Sequence, residues 1–186
     1  MSDSAFGIMV LAMSLDFFHP PLKKLKRFET IYSKIKNCPS ALKSPFTGLN
    51  VVDYACGPGR YSIPLARMVG PAGKVYAVDT QPLAIKIVKR EAEQNDLTNI
   101  EAVLVDSFDT GIPDMVADII FLIDAIFPIK NRASLLKEIH RLLKPDGHLL
   151  MDPSHMSVRK AQAVVDETGL FKSIITEGQE MVFGKK

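Results

Sequence analysis

The residues best suited to chemistry lie in one short run, Asp53-Tyr54-Ala55-Cys56-Gly57-Pro58-Gly59. It follows the apolar pair Val51-Val52 and precedes an amphipathic stretch. Glycines at Gly57 and Gly59 let a ligand approach the backbone closely, and the start of the next helix offers N–H groups with no helical partner. Asp79 closes a second apolar run, about 20 residues after Gly59, a spacing that suits a carboxylate accepting hydrogen bonds from ribose hydroxyls. Asp106 closes a third, with Ser107 and Phe108 behind it. A single acid at a strand end ordinarily starts a turn or caps a helix. Three of them joined to a glycine loop point to a nucleoside-binding edge.

Two kinds of nucleoside ligand suit a strand, glycine loop and helix. A dinucleotide site calls for G-x-G-x-x-G, and here the third glycine position is Ser62. A dinucleotide would also bring a doubly negative pyrophosphate near Asp53, and like charges repel. S-adenosylmethionine has no phosphate. Its sulfonium and ammonium groups are both favoured by a nearby carboxylate. The residues therefore favour S-adenosylmethionine, with a nicotinamide dinucleotide as the weaker alternative.

The elements that must hold these residues follow from periodicity. From Leu49 onward short apolar runs alternate with amphipathic segments, the pattern of a parallel sheet with crossover helices. Strands are predicted at 49–54, 74–78, 99–105, 117–123 and 148–152. Helices are predicted at about 60–69, from Pro82 with the stripe Leu83, Ala84, Ile87 and Val88, and through Leu135, Leu136, Ile139, Leu142 and Leu143. Lys144-Pro145-Asp146-Gly147 is expected to end the last of these before the fifth strand. One more helix runs through Val158, Ala161, Val164 and Val165. Strands at 171–176 and 180–183 are separated only by Glu177-Gly178-Gln179, so they must pair antiparallel. The expected fold is α/β, a doubly wound and mostly parallel sheet. Residues 49–186 form its single compact domain. Residues 1–48 are expected to form a helical cap outside the sheet, in two short pieces broken at Pro20-Pro21.

Composition narrows the class. The 186 residues suit one domain, and 47% of them are hydrophobic, enough for a sizeable core. A net charge of +2 gives no argument for nucleic acid. Two cysteines, Cys38 and Cys56, can build neither a disulfide framework nor a four-sulfur zinc site, so no metal and a cytoplasmic location are expected. The apolar run from Ala5 to Met13 is far shorter than the roughly 20 residues a bilayer span needs, and no basic segment precedes it as in a signal peptide.

With these segments in order, the chain resembles the class I S-adenosylmethionine-dependent methyltransferases. Val51 through Gly59 matches their glycine-rich first motif, and Val75-Tyr76-Ala77-Val78-Asp79 their ribose-binding strand. Val105-Asp106-Ser107 resembles the adenine-side motif, and Leu142 through Gly147 the turn before the fifth strand. Within the class the layout looks most like the small quinone-biosynthesis type. The resemblance implies a seven-stranded Rossmann-like sheet ending in a reversed hairpin, and S-adenosylmethionine as cofactor. Gly57 and Gly59 would line its methionine part, Asp79 would bind the ribose and Asp106 the adenine amino group. Thr80, Gln81, Ser107 and Phe108 would flank the base. Asp53 and Ala55 complete the expected cofactor set, although Ala55 stands where many members have glycine.

The acceptor is less legible. After the fourth strand come Asp124-Ala125-Ile126-Phe127-Pro128, without the Asn-Pro-Pro-Tyr or Asp-Pro-Pro-Tyr that would hold a planar amine. Asp124 and His155, both following strands on the sheet's carboxyl edge, are the candidate catalytic residues. The expected reaction is methyl transfer to a small apolar or aromatic molecule, and the alternative is a non-catalytic cofactor-binding module regulating a partner. The apolar residues of segment 5–17 are expected to close over the cofactor as a lid. Their alternative role, with the Lys23–Arg27 run, is membrane contact, which Asp3 and Asp16 weaken.

Overall fold

The computed structural model describes residues 21–36 and 44–186. Seven strands, β1 (Asn50–Tyr54), β2 (Lys74–Asp79), β3 (Ile100–Leu104), β4 (Ala117–Ile123), β5 (Leu143–Asp152), β6 (Phe171–Glu177) and β7 (Glu180–Lys185), form one sheet in the order β3-β2-β1-β4-β5-β7-β6. The first five are mutually parallel, and β7 runs antiparallel to both neighbours. Strand order reverses between β1 and β4, the switch point at which open α/β sheets bind ligands.

Helices α1 (Pro21–Lys36), α2 (Ser62–Val69), α3 (Pro82–Gln94), α4 (Arg132–Leu142) and α5 (Val158–Asp166) cover both faces. β1, β2 and β4 are buried along nearly their whole length, as central parallel strands must be. Alternate residues therefore feed two cores. Val52, Val78, Ile120 and Leu122 pack with Leu135, Leu136, Ile139 and Ala161 from α4 and α5. Val51, Ile119 and Phe121 pack with Leu65 and Val69 of α2 and with Leu25, Phe28, Ile31 and Tyr32 of α1. Pro21 opens α1 at a first-turn position, where a missing N–H costs nothing. That helix adds no strand but belongs to the layer on one sheet face, with Phe28 edge-on to Phe121 at 5.7 Å. Residues 1–20, including the segment expected to form the lid, lie outside the described residues. Among the described residues no helix is long and apolar enough to cross a membrane.

Two local expectations need correction. The buried stripe of α3 is Ala84, Ile85, Val88 and Ala92, while Leu83 is 67% exposed. Ala92 carries the helical period one turn further than the apolar run suggests and rotates its phase. The expected turn at residues 144–147 is part of β5, which starts as soon as α4 ends. Ala117 pairs with Leu143 and Ile119 with His148, so residues 144–147 form an irregularity in the strand. Gly147 permits it, since a Cβ there would meet the Ala117 carbonyl at 3.0 Å and Leu143 Cδ2 at 2.9 Å. Asp118, the polar residue of β4, accepts from the Asn50 N–H at 2.9 Å and pairs with Lys144 Nζ at 2.7 Å.

Candidate functional site

The loop between β1 and α2 turns by left-handed residues, Ala55 at φ 62°, Gly57 at 53° and Gly59 at 85°. The Cys56 N–H extends the strand pairing to the Val78 carbonyl at 2.9 Å. Beyond that point the loop is held by Asp79. One of its carboxylate oxygens accepts from the Gly57 N–H at 2.8 Å, and the other from the Gln81 N–H at 2.9 Å. A single acid at the end of β2 thus ties the glycine loop to the start of α3. The two glycines serve different ends. Nothing lies within 4 Å of a Cβ placed on Gly57, so that side of the loop is open. A Cβ on Gly59 would meet Val88 Cγ2 at 3.0 Å, so that glycine lets α3 pack against the loop.

Asp53 is 2% exposed and accepts from the Ser62 hydroxyl at 2.5 Å. Burial raises its pKa from 3.8 to about 6, an effect the Ser62 bond opposes and the charge of Asp79 adds to. Ser62, fully buried, does more than break a glycine pattern: it is the hydrogen-bond partner of the first strand-end acid. Burial also pushes the Cys56 thiol well up, so it stays protonated.

Beside the loop lies an open cleft of about 790 Å³. Thr80, Gln81, Asp106 and Ser107 line it, as does Gly111. Phe108 is half-buried against the core, and its carbonyl accepts from the Tyr54 hydroxyl at 3.3 Å. Sequence reasoning missed what supports the far wall. Thr110 donates from N–H and hydroxyl to Glu138 Oε1 at 3.1 and 2.7 Å. Arg141 grips the same Glu138, the Ile112 carbonyl and Asp114. Glu138 and Arg141 stand three apart in the helix predicted through Leu135 and Ile139, where they look like an exposed pair.

The second group of residues gathers at the ends of β4 and β5. Asp124 has a left-handed backbone, φ 59°, and so does Ser154, φ 44°. Its N–H donates to the Asp152 carbonyl at 3.0 Å, and the Ser154 hydroxyl donates to its carboxylate. Lys24 from α1 lies 3.0 Å from Asp124 Oδ1 and 3.0 Å from Asp152 Oδ2. Burial alone would lower the pKa of Lys24, but Asp124, Tyr61 and Asp152 outweigh it and the net direction is up. Burial raises the Tyr61 hydroxyl to about 12, which keeps it a neutral donor. His155 is exposed, and its ring stands 6.0 Å from that of Phe127, which is 48% exposed. Every parallel strand but β3 thus ends in or next to a buried or half-buried acid, and three of the left-handed non-glycine residues, Ala55, Asp124 and Ser154, follow adjacent strands. Among the described residues no group of His, Cys, Asp or Glu is arranged to hold a metal ion.

This geometry has counterparts. A model of methyltransferase domains matches residues 45–182. The chain belongs to that family. In its class I fold the cofactor is S-adenosylmethionine. A demethylmenaquinone methyltransferase from Listeria welshimeri is 29% identical over 102 residues, 55% of this chain and 43% of that protein. The chain thus matches less than half the length of such relatives. An S-adenosylmethionine-dependent methyltransferase from Aquifex aeolicus shares the fold with a TM-score of 0.66 and 23% identity, over 90% of this chain and 97% of that one. The [4+2]-cyclase SpnF shares it as well, with a TM-score of 0.63 and 16% identity, over 82% of this chain and 60% of that one. The fold alone therefore does not name a reaction.

The residues fit the methyltransferase cofactor. The open side of Gly57 gives a backbone that a ligand can touch, and the strand-end carboxylates suit a cationic nucleoside with no phosphate.

Proposed function

We propose that the protein methylates a small planar acceptor of the hydroquinone class, using S-adenosylmethionine held across β1, β2 and β3. The observation that carries the reading is the Asp79 carboxylate, which fixes the glycine loop and the start of α3 beside the cleft at the carboxyl ends of β2 and β3. Gly57 and Gly59 take the methionine end, Asp79 keeps lone pairs for the ribose, and Asp106 takes the adenine amino group. Thr80, Gln81 and Ser107 flank the base, with Phe108 behind them. Asp53 and Ala55 shape the loop from below. When bound, the cofactor supplies a methyl group already activated on a sulfonium.

The chain's part is then alignment, exclusion of water and one proton. Phe127 and His155 present an exposed aromatic pair against which a planar acceptor can lie. Asp124 accepts the proton the acceptor gives up as its new bond to carbon or oxygen forms. The relatives that methylate demethylmenaquinone support this acceptor class, as does the lack of a planar-amine clamp after β4. The reading includes a cytoplasmic protein acting on a small molecule.

Calorimetry with S-adenosylmethionine, its demethylated product and NAD tests the cofactor. Tight binding of NAD with none of the other two refutes it. Tritium transfer from labelled S-adenosylmethionine to a reduced naphthoquinone lacking its ring methyl tests the acceptor. Cofactor binding with no transfer to this or to any extract component would leave a regulatory module.

A further inference from the structure

Lys24 is set apart from the other basic residues of α1. Lys23, Lys26 and Lys34 lie on the exposed side of the helix, whereas the Lys24 side chain is 16% exposed and bridges two carboxylates on different strands. Its ammonium lies within 3.0 Å of Asp152 Oδ2 and within 3.0 and 3.3 Å of the two oxygens of Asp124. The elements around it contribute Asp124 after β4, Asp152 at the end of β5, Ser154 beyond it, and Tyr61 with the adjacent Arg60 before α2. Two of these positions, Asp124 and Ser154, carry left-handed backbones that a non-glycine residue adopts only where its surroundings impose them.

The helix carrying Lys24 is itself anchored elsewhere. Leu25, Phe28, Ile31 and Tyr32 are buried on the sheet, and Arg27 pairs with the buried Glu180 at 3.1 Å. The ammonium is therefore delivered by a rigid element and not by a free surface side chain. In the strand order, β4 and β5 lie on the opposite side of β1 from β2 and β3, which carry the cofactor-side residues.

We propose that Lys24 is a positioning residue for the acceptor side: it bridges Asp124 and Asp152 and holds the Asp124 carboxylate in place, so that docking of α1 is required for methyl transfer and not for cofactor binding. This rests on the role given to Asp124 above. Without the ammonium between them the two carboxylates would repel more strongly across the β4–β5 ends, and the left-handed turn at Asp124 would loosen. A lysine supplies the charge at a point, whereas the planar fork of arginine supplies it in a different shape, so Lys24→Arg restores charge with imperfect geometry.

The test uses the full chain and the variants Lys24→Met, Lys24→Arg, Asp124→Asn and Asp152→Asn. The titration of the Lys24 ε-carbon, followed by NMR, is expected above the ordinary lysine value and is expected to fall in both aspartate variants. Amide hydrogen exchange at Asp124 and Ser154 is expected to quicken by roughly tenfold in Lys24→Met and to return partway in Lys24→Arg. Calorimetry with S-adenosylmethionine is expected to give the same affinity in wild type and Lys24→Met. Label transfer from S-adenosylmethionine into a dialysed cell extract is expected to fall roughly tenfold to a hundredfold in Lys24→Met, with partial rescue in Lys24→Arg. A Lys24 that titrates at or below the ordinary lysine value, or unchanged exchange and transfer in Lys24→Met, overturns the proposal while Asp124→Asn still tests the reading of Asp124. Full transfer by Asp124→Asn removes both. Loss of cofactor affinity in Lys24→Met shows that α1 serves the whole fold and also overturns it.

Discussion

Replacing Asp53 by asparagine should make the protein more stable at neutral pH and less stable at acidic pH. Asp53 is 2% exposed, and burial raises its pKa from 3.8 to about 6. The folded protein therefore binds this proton more tightly than the unfolded chain does. Stability from this group is greatest below about pH 4, falls as the pH rises through about 6, and is level above that. Each tenfold change in proton affinity is worth about 1.4 kcal/mol, and the interval spans roughly two such factors, so ionised Asp53 costs the fold about 3 kcal/mol at neutral pH. Asparagine resembles the protonated acid. Its carbonyl oxygen can still accept from the Ser62 hydroxyl, which now donates at 2.5 Å. Its amide brings a buried donor whose unmet hydrogen bond costs about 1–3 kcal/mol. The expected outcome is a gain of about 1 kcal/mol near pH 7.5 and a loss of about 1–2 kcal/mol near pH 4, a difference of about 2 kcal/mol between the two. Urea unfolding of both proteins at the two pH values measures it, because titrations shared by wild type and variant cancel in the comparison. Equal effects of Asp53→Asn at both pH values would falsify the claim that burial, and not the Ser62 bond, governs this acid. Calorimetry on the same variant should show weaker S-adenosylmethionine binding, since a charge beside the loop has been removed.

Asp79→Ala should both weaken cofactor binding and destabilise the fold, by about 2–4 kcal/mol in urea, because it strips the acceptor from the Gly57 and Gln81 N–H groups. Stability equal to wild type would show that the loop holds itself. Gly59→Ala should cost about 1–3 kcal/mol, since it combines a φ of 85° with a contact on Val88 at 3.0 Å, whereas Ala55→Gly should change stability by less than about 1 kcal/mol as relief of the left-handed backbone offsets added chain entropy. Thermal unfolding of the two variants side by side checks the contrast. Glu138→Ala should destabilise by about 2–3 kcal/mol, by leaving the Thr110 N–H and hydroxyl without their acceptor and Arg141 with only Asp114 and the Ile112 carbonyl, and limited proteolysis should then cut the loop around residues 106–114 first.

The layered sheet was legible in the sequence because alternation between apolar runs and amphipathic stripes is a local signal, carried by neighbours such as Val51 and Val52 or Leu135, Leu136 and Ile139. The antiparallel hairpin was legible for a similar reason: the two residues between β6 and β7, Gly178 and Gln179, allow no crossover. The strand-end acids Asp53, Asp79 and Asp106 could be picked out because each closes an apolar run. What each acid does could not be, since it depends on partners far along the chain. Asp79 meets the Gly57 N–H, and Asp53 meets Ser62, a residue that in one dimension registers only as a missing glycine. Asp124 could be placed after its strand, but Lys24, 100 residues earlier, comes to it only because the apolar stripe of α1 docks on the face made by Phe121, Leu150 and Val182. Local periodicity decides which elements form and which side of each is buried. The pairing of one buried charge with another is decided by packing between elements, where a low dielectric makes the partner obligatory and sequence distance carries no information about who that partner is.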